Sequence, residues 1–164
     1  MIFVVLGSQK FQFNRLLEAI DELKMASMIE DEIVAQVGYS DYVPKSFQAI
    51  DFVSKNEFDD YISKADYVIC HGGTGAIISS LKKGKKVIAV PRNSKFGEHV
   101  DEHQYQIVQM FSDLKLIEPC YDTEDLFQAL MNSDETRYEV FKSNNEVFVN
   151  AIRKDIEQIA RESR

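Results

Sequence analysis

The chain has little of what would mark a secreted, membrane-spanning or nucleic-acid-binding protein. Two cysteines, Cys70 and Cys120, are all it has among 164 residues. They form no Cys-x-x-Cys and one pair is no disulfide framework, so a reducing cytoplasm is the simplest setting. Cys70 ends an apolar run and reads as a small buried hydrophobe. No apolar run is long enough to cross a bilayer. The opening "MIFVVLG" is too short for the apolar core of a signal peptide and has no basic flank. Work at a membrane would need something else to hold the protein there. Positive charge is also scarce: 19 Lys and Arg against 27 Asp and Glu leave a formal net charge of -8. That balance disfavours nucleic acid as a bulk electrostatic partner. Repeats, low-complexity tracts and linkers are absent. The length suits one domain over residues 1–164, able to bury a core without disulfides or a structural metal.

Short apolar runs alternate with helical periodicity. Residues 2–6 are apolar throughout and read as a buried parallel strand. Further strands are expected at 32–37, 47–53, 67–70 and 86–90, with a brief edge strand at 116–117. Apolar residues at helical spacing predict helices over 13–26, 57–64, 74–83, 100–111, 123–131 and, at greatest length, 138–160. The alternation implies an α/β fold, a Rossmann-like doubly wound parallel sheet with helices on both faces. Such folds bind ligands beyond the carboxyl ends of the strands.

Glycine is rare too, yet three of the seven stand together in "HGGTG", His71–Gly75, directly after a core strand. A helix start leaves backbone N–H groups unpaired, and its dipole adds partial positive charge. Glycines let a phosphate approach that backbone without meeting a Cβ. The dipole alone contributes only about 0.3–1 kcal/mol, so several N–H bonds, with the Thr74 and Ser8 hydroxyls, would have to supply the rest. A diphosphate suits such a turn better than a single carboxylate; a ligand-free tight turn is the bland alternative. Neither the Rossmann Gly-x-Gly-x-x-Gly pattern nor a P-loop is present. The stretch "PRNSKFGEHVDEHQ" follows the next strand and reaches the same sheet edge. Its Glu98, Asp101, Glu102, His103 and Gln104 suit a hydroxyl-rich ligand. No Asp-x-Asp spacing accompanies them, and no metal site is assigned.

Together these stretches resemble the C-terminal, donor-binding half of GT-B glycosyltransferases of the family 28 type. The motif residues are His71, Gly73, Gly75, Gly84, Pro91, His103 and Gln104, and "VVLGSQKFQFNRLL" is similar to that family's first strand, loop and helix. The likeness extends to subunits that add N-acetylglucosamine to lipid-linked oligosaccharide. It is closer to bacterial capsule and exopolysaccharide β-1,4-galactosyltransferase subunits with "GEHVDEHQ"-like endings, which act on undecaprenyl-diphosphate-linked sugar. The resemblance implies a single GT-B half domain working as an inverting UDP-sugar transferase. A membrane-bound partner would supply the acceptor domain and recruit the chain to the inner face of the membrane. Gly72, Gly73, Thr74 and Gly75 would then hold the UDP diphosphate, flanked by Gly7, Ser8 and Gln9, with His71 beside it. Glu102, His103 and Gln104 would bind the sugar or ribose. A general base would come from the partner or from His71, Glu98 or His99. No cofactor or divalent metal is implied, because backbone N–H groups would stabilise the leaving diphosphate. Ser79 stands where the family often has a ribose-binding Glu, which keeps alive a non-catalytic, nucleotide-sugar-binding regulatory subunit. An epimerase of related architecture would need two domains, against which the length counts. The C-terminal helix would face the partner or a second copy.

Overall fold

A computed structural model describes residues 1–143. Six strands form one parallel sheet: β1 (Ile2–Val5), β2 (Ile33–Gln36), β3 (Gln48–Ile50), β4 (Tyr67–His71), β5 (Lys86–Val90) and β6 (Glu118–Pro119). Their spatial order is β3-β2-β1-β4-β5-β6. The direction of sheet growth therefore reverses between β1 and β4, which opens a crevice above their carboxyl ends. The connecting helices are α1 (Asn14–Met25), α2 (Lys55–Lys64), α3 (Thr74–Lys82), α4 (His103–Asp113) and α5 (Leu126–Glu135). This is the Rossmann-like α/β architecture that the alternation implies.

Strand side chains point alternately to the two faces. Ile2, Val4, Ile33, Ala35, Ile69 and Ile88 meet Leu16, Leu17 and Ile20 of α1 and Leu126 and Leu130 of α5. On the other face Phe3, Val5, Val68, Cys70 and Val87 meet Ile62 of α2, Ile77 of α3 and Val108 and Phe111 of α4. Both faces are covered, so the central strands read as unbroken apolar runs. Burial pushes the Cys70 and Cys120 thiols up to about 12. Neither is expected to react with a thiol-alkylating reagent in the native protein. Labelling at neutral pH faster than unfolding would contradict that burial.

Several boundaries differ from the periodicity. The third strand shrinks from 47–53 to Gln48–Ile50, because this exposed edge carries ladder bonds on one side only. The last strand pairs at Glu118–Pro119, just beyond the buried Leu116 and Ile117. α4 begins at His103, leaving Val100 76% exposed in the preceding loop. Residues 123–125 form a short 3-10 turn capped by Asp122 before α5. The helix expected from 138 does not begin there: residues 138–143 are non-helical, with Phe141 packed on the α4 side of the core. The remainder of that expectation, 144–160, lies outside the described residues.

A buried carboxylate fastens the β2–β3 connection. Asp21 of α1 accepts hydrogen bonds from the Tyr42 hydroxyl and the Lys45 and Ser46 N–H groups, so the β2–β3 connection is tied to α1. Burial works against its charge, but bonds from Ser46, Lys45 and Tyr42 outweigh it and hold the carboxyl below its ordinary range.

Candidate functional site

The crevice between β1 and β4 is built around one imidazole. The chain leaves β1 through Leu6 into Gly7, whose φ of 79° lies in the left-handed region that favours glycine. It leaves β4 through His71 into Gly72 and Gly73. The His71 ring fills the space between the two turns. A Cβ on Gly7 would lie 2.6 Å from its Cε1, and a Cβ on Gly73 only 2.2 Å from its Nε2. Its Nδ1 lies 3.1 Å from the Val5 carbonyl oxygen, which can only accept, so Nδ1 carries the proton and Nε2 the lone pair. Burial lowers the pKa to about 4, against the raising effect of that bond, and the ring is neutral at pH 7. Between pH 6.5 and about 4 the unfolded chain therefore binds a proton here that the native protein refuses. Stability should rise with pH through this window, by up to about 3 kcal/mol in all. Urea midpoints at pH 4.5 and 7, beside His71→Asn, would check it. A variant that keeps the full dependence would exclude His71 as its source.

The α3 end of the crevice is open. Gly73 is the N-cap of α3 and no side chain caps the helix. Thr74 and Gly75 are exposed. At Gly75 an added Cβ would meet no described atom within 4 Å. The fold thus does not demand glycine there, although glycine in a helix costs about 1 kcal/mol relative to alanine. A ligand lying against the first turn does give a reason for it.

The opposite wall comes from the segment between β5 and α4. Glu98 has no exposed surface. Its carboxylate takes two bonds from Arg15, Nε to Oε1 at 3.0 Å and Nη2 to Oε2 at 3.1 Å, and one from the Asn93 N–H at 2.8 Å. That corrects its expected part as a base: it fastens the loop instead. Gln104 is also buried, and its side-chain oxygen accepts from the Arg92 N–H at 3.1 Å, under Gly72. It shapes the turn from below, while the exposed Glu102 and His103 remain at the rim with Ser8 and Gln9. His99 bridges the two loops, with Nε2 3.1 Å from the Gln9 amide. His99 and His103 are four residues apart but not on one helix, and no group of three metal-ligating side chains occurs among the described residues.

Arg92 is the residue that sequence reading missed. It is 1% exposed, its Nη2 donates to the Leu6 carbonyl oxygen at 2.6 Å, and its guanidinium lies over Phe13. Burial lowers its pKa to about 10, still charged at pH 7, and its Nε has no partner. With Arg15 it gives two cations to one Glu98, a buried positive excess beneath the Gly7 turn. The available signal was an arginine directly after a core strand and Pro91, at the ligand-binding edge.

Comparisons with known proteins give the family and the fold. The sequence matches the Glycosyltransferase family 28 C-terminal domain over residues 1–159. The UDP-N-acetylglucosamine transferase subunit ALG13 of Debaryomyces hansenii is 30% identical over 112 residues, 63% of this chain and 53% of that protein. The chain thus aligns with about half the length of this relative. Among solved structures, the glycotransferase of kitacinnamycin superposes with a TM-score of 0.63 at 18% identity, over 82% of this chain and 35% of that one. An NMR structure of ALG13 gives 0.60 at 20% identity, over 87% of this chain and 89% of that one. These two likenesses speak for the fold alone. The named relative is a UDP-N-acetylglucosamine transferase subunit, so the closeness to capsule galactosyltransferase subunits has no support from these matches. The parallel sheet, its two glycine turns and a family match running almost from end to end place the chain in the glycosyltransferase family 28 C-terminal domain family.

Proposed function

We propose that this chain is the donor-binding and catalytic half of an inverting UDP-sugar transferase acting on a lipid-diphosphate-linked sugar. The observation that carries the reading is Gly75, a helical glycine with no steric reason inside the protein, at a helix start that no side chain caps. The diphosphate would lie against Gly72, Gly73, Thr74 and Gly75, with Gly7, Ser8 and Gln9 on its other side. Glu102 and His103 would reach the sugar or ribose from the rim. As the bond from the anomeric carbon to UDP breaks, the first-turn N–H groups and the charge of Arg92 stabilise the negative charge on the leaving group. On this reading no divalent metal is needed.

The sugar remains a choice between two. The relatives' names favour N-acetylglucosamine, and the likeness of "GEHVDEHQ" to capsule and exopolysaccharide subunits favours galactose. A membrane-anchored partner would supply the acceptor side and hold the chain at the cytoplasmic face. None of the described helices is long and apolar enough to cross a membrane by itself. A non-catalytic, nucleotide-sugar-binding subunit is the second reading, favoured by Ser79 in place of the family's Glu.

Calorimetric titration with UDP, UDP-galactose, UDP-glucose and UDP-N-acetylglucosamine, in EDTA, tests the proposal. One UDP-sugar should bind, unchanged when Mg²⁺ is added. Failure of UDP and all three sugars to bind, with or without the membrane partner, would overturn it. Binding without transfer in the presence of partner and acceptor would favour the regulatory reading.

A further inference from the structure

α4 has an outer face that the described residues leave uncovered. On its core side Val108 and Phe111 are buried. On the other side Tyr105, Gln109 and Asp113 form one row, with Met110 and Leu114 in the next, at the spacing that sets helical side chains above one another. Tyr121, just past β6, closes a groove along them. Its ring stacks on that of Tyr105 with 6.1 Å between centroids, and its hydroxyl donates to Gln109 Oε1 at 2.8 Å. The groove holds about 640 Å³, and Met110 and Leu114 are exposed in it. α4 joins two parallel strands and therefore runs against them. The groove thus leads from Leu114, at the amino end of the sheet, to Tyr105 near the crevice rim, about 14 Å at 1.5 Å per residue.

The described chain ends at the Leu114 mouth of this groove. After α5 it turns back past the edge strand. The Tyr138 hydroxyl donates to Glu118 Oε2 at 2.8 Å, and the Glu139 N–H donates to the carbonyl oxygen of Lys115, Leu114's neighbour, at 2.9 Å. Phe141 then packs on the cluster that contains Phe111 and Leu116. Residues 144–164 follow, and their Phe148, Ile152, Ile156 and Ile159 recur at the spacing of one helix face.

We propose that the Phe148–Ile159 stretch of this chain occupies the α4 groove, in preference to a membrane partner or a second copy. Only residues 142–147 separate Phe141 from Phe148. So short a tether gives an effective concentration on the order of millimolar, and even a weak groove fills from its own chain first. The lengths agree: Phe148 to Ile156 as a helix spans about 12 Å against about 14 Å of groove. The width agrees too. Seven residues line the groove, whereas a free-standing protein pair takes about 20–30 a side. Lys154 and Arg161, on the opposite face of such a helix, would stay in water. The inference does not depend on the donor reading.

Peroxide oxidation of the full chain, read by peptide mass spectrometry, tests it. Met25, Met28 and Met131 are 52%, 46% and 44% exposed, so they calibrate Met110 at 51%. With the groove filled, Met110 should oxidise at least about tenfold more slowly than those three. Phe148→Asp with Ile152→Asp should bring it to their rate, while Cys70 and Cys120 stay closed to alkylation and so report an intact core. Ile156→Asp gives the same readout should that pair unfold the protein. Lys154→Ser should leave Met110 protected. Met110 reacting like the other three in the wild type would overturn the proposal. So would protection that survives the aspartate changes, or that fades on dilution as cover by a second copy would. Protection seen only after the membrane partner is added would also overturn it, and would assign the groove to that partner.

Discussion

Gly73→Val is expected to abolish UDP binding, a loss of at least about 100-fold, or about 3 kcal/mol. The cause is local. The added Cβ alone would sit 2.2 Å from His71 Nε2, and the ring cannot retreat while its Nδ1 bonds Val5 at 3.1 Å. Either the ring swings out, or the turn moves and carries the first N–H groups of α3 with it. Gly75→Ala makes a sharper companion, because its two effects have opposite signs. A methyl there meets nothing within 4 Å, so the helix should gain up to about 1 kcal/mol of stability. The same methyl would stand where a diphosphate approaches, and UDP affinity should fall. Calorimetry and thermal unfolding on both variants would decide. Gly75→Ala binding UDP as the wild type does would remove the main support for the donor site.

Glu98→Ala should cost about 3–5 kcal/mol of stability, the range for stripping one partner from a buried ion pair. Arg15 is 22% exposed at its side chain and Glu98 only 1%, so water cannot replace the carboxylate without opening the loop. The Asn93 N–H loses its acceptor as well. Arg15→Met together with Glu98→Leu should recover part of the loss, because Arg15 is then no longer left unpaired, while the buried Arg92 still loses its counter-charge. Urea unfolding gives both numbers. A loss below about 1 kcal/mol in Glu98→Ala would mean that the pair is solvated and contributes no more than a surface contact.

The parts legible in the sequence were those that depend on neighbours in the chain. β1, β4 and β5 are buried on both faces, and an unbroken apolar run records that directly. The glycine turn was legible because His71 to Gly75 are consecutive. β3 was drawn too long because "FQAIDFV" carries strand-forming residues on an edge where few bonds form. The start of α4 was set too early because Val100 fits the helical spacing, yet the loop ahead of it is held by Glu98 and His99 through contacts to α1 and Gln9. Those contacts join residues 83 and 90 positions apart, and no local pattern reports them. The same distance hid Arg92, which looks like any surface arginine until Leu6, 86 positions earlier, is placed over it. Gln104 has a further task that its residue type does not announce: its side-chain oxygen accepts from the Arg92 N–H.

The reversal of strand order between β1 and β4 also sets a schedule for synthesis. β1 leaves the ribosome first, but its hydrogen-bonding neighbour β4 begins 65 residues later, at Tyr67 paired with Ile2. The wall from β5 to α4 follows later still. A nascent chain that has exposed only its first eighty residues has both glycine turns and no Arg92, Glu98 or His99. It lacks one wall of the proposed donor site, and its uncovered strand edges need protection until α4 emerges. On the proposed reading, donor capture would therefore be a property of the finished sheet, closed only when β5 and the loop after it are in place.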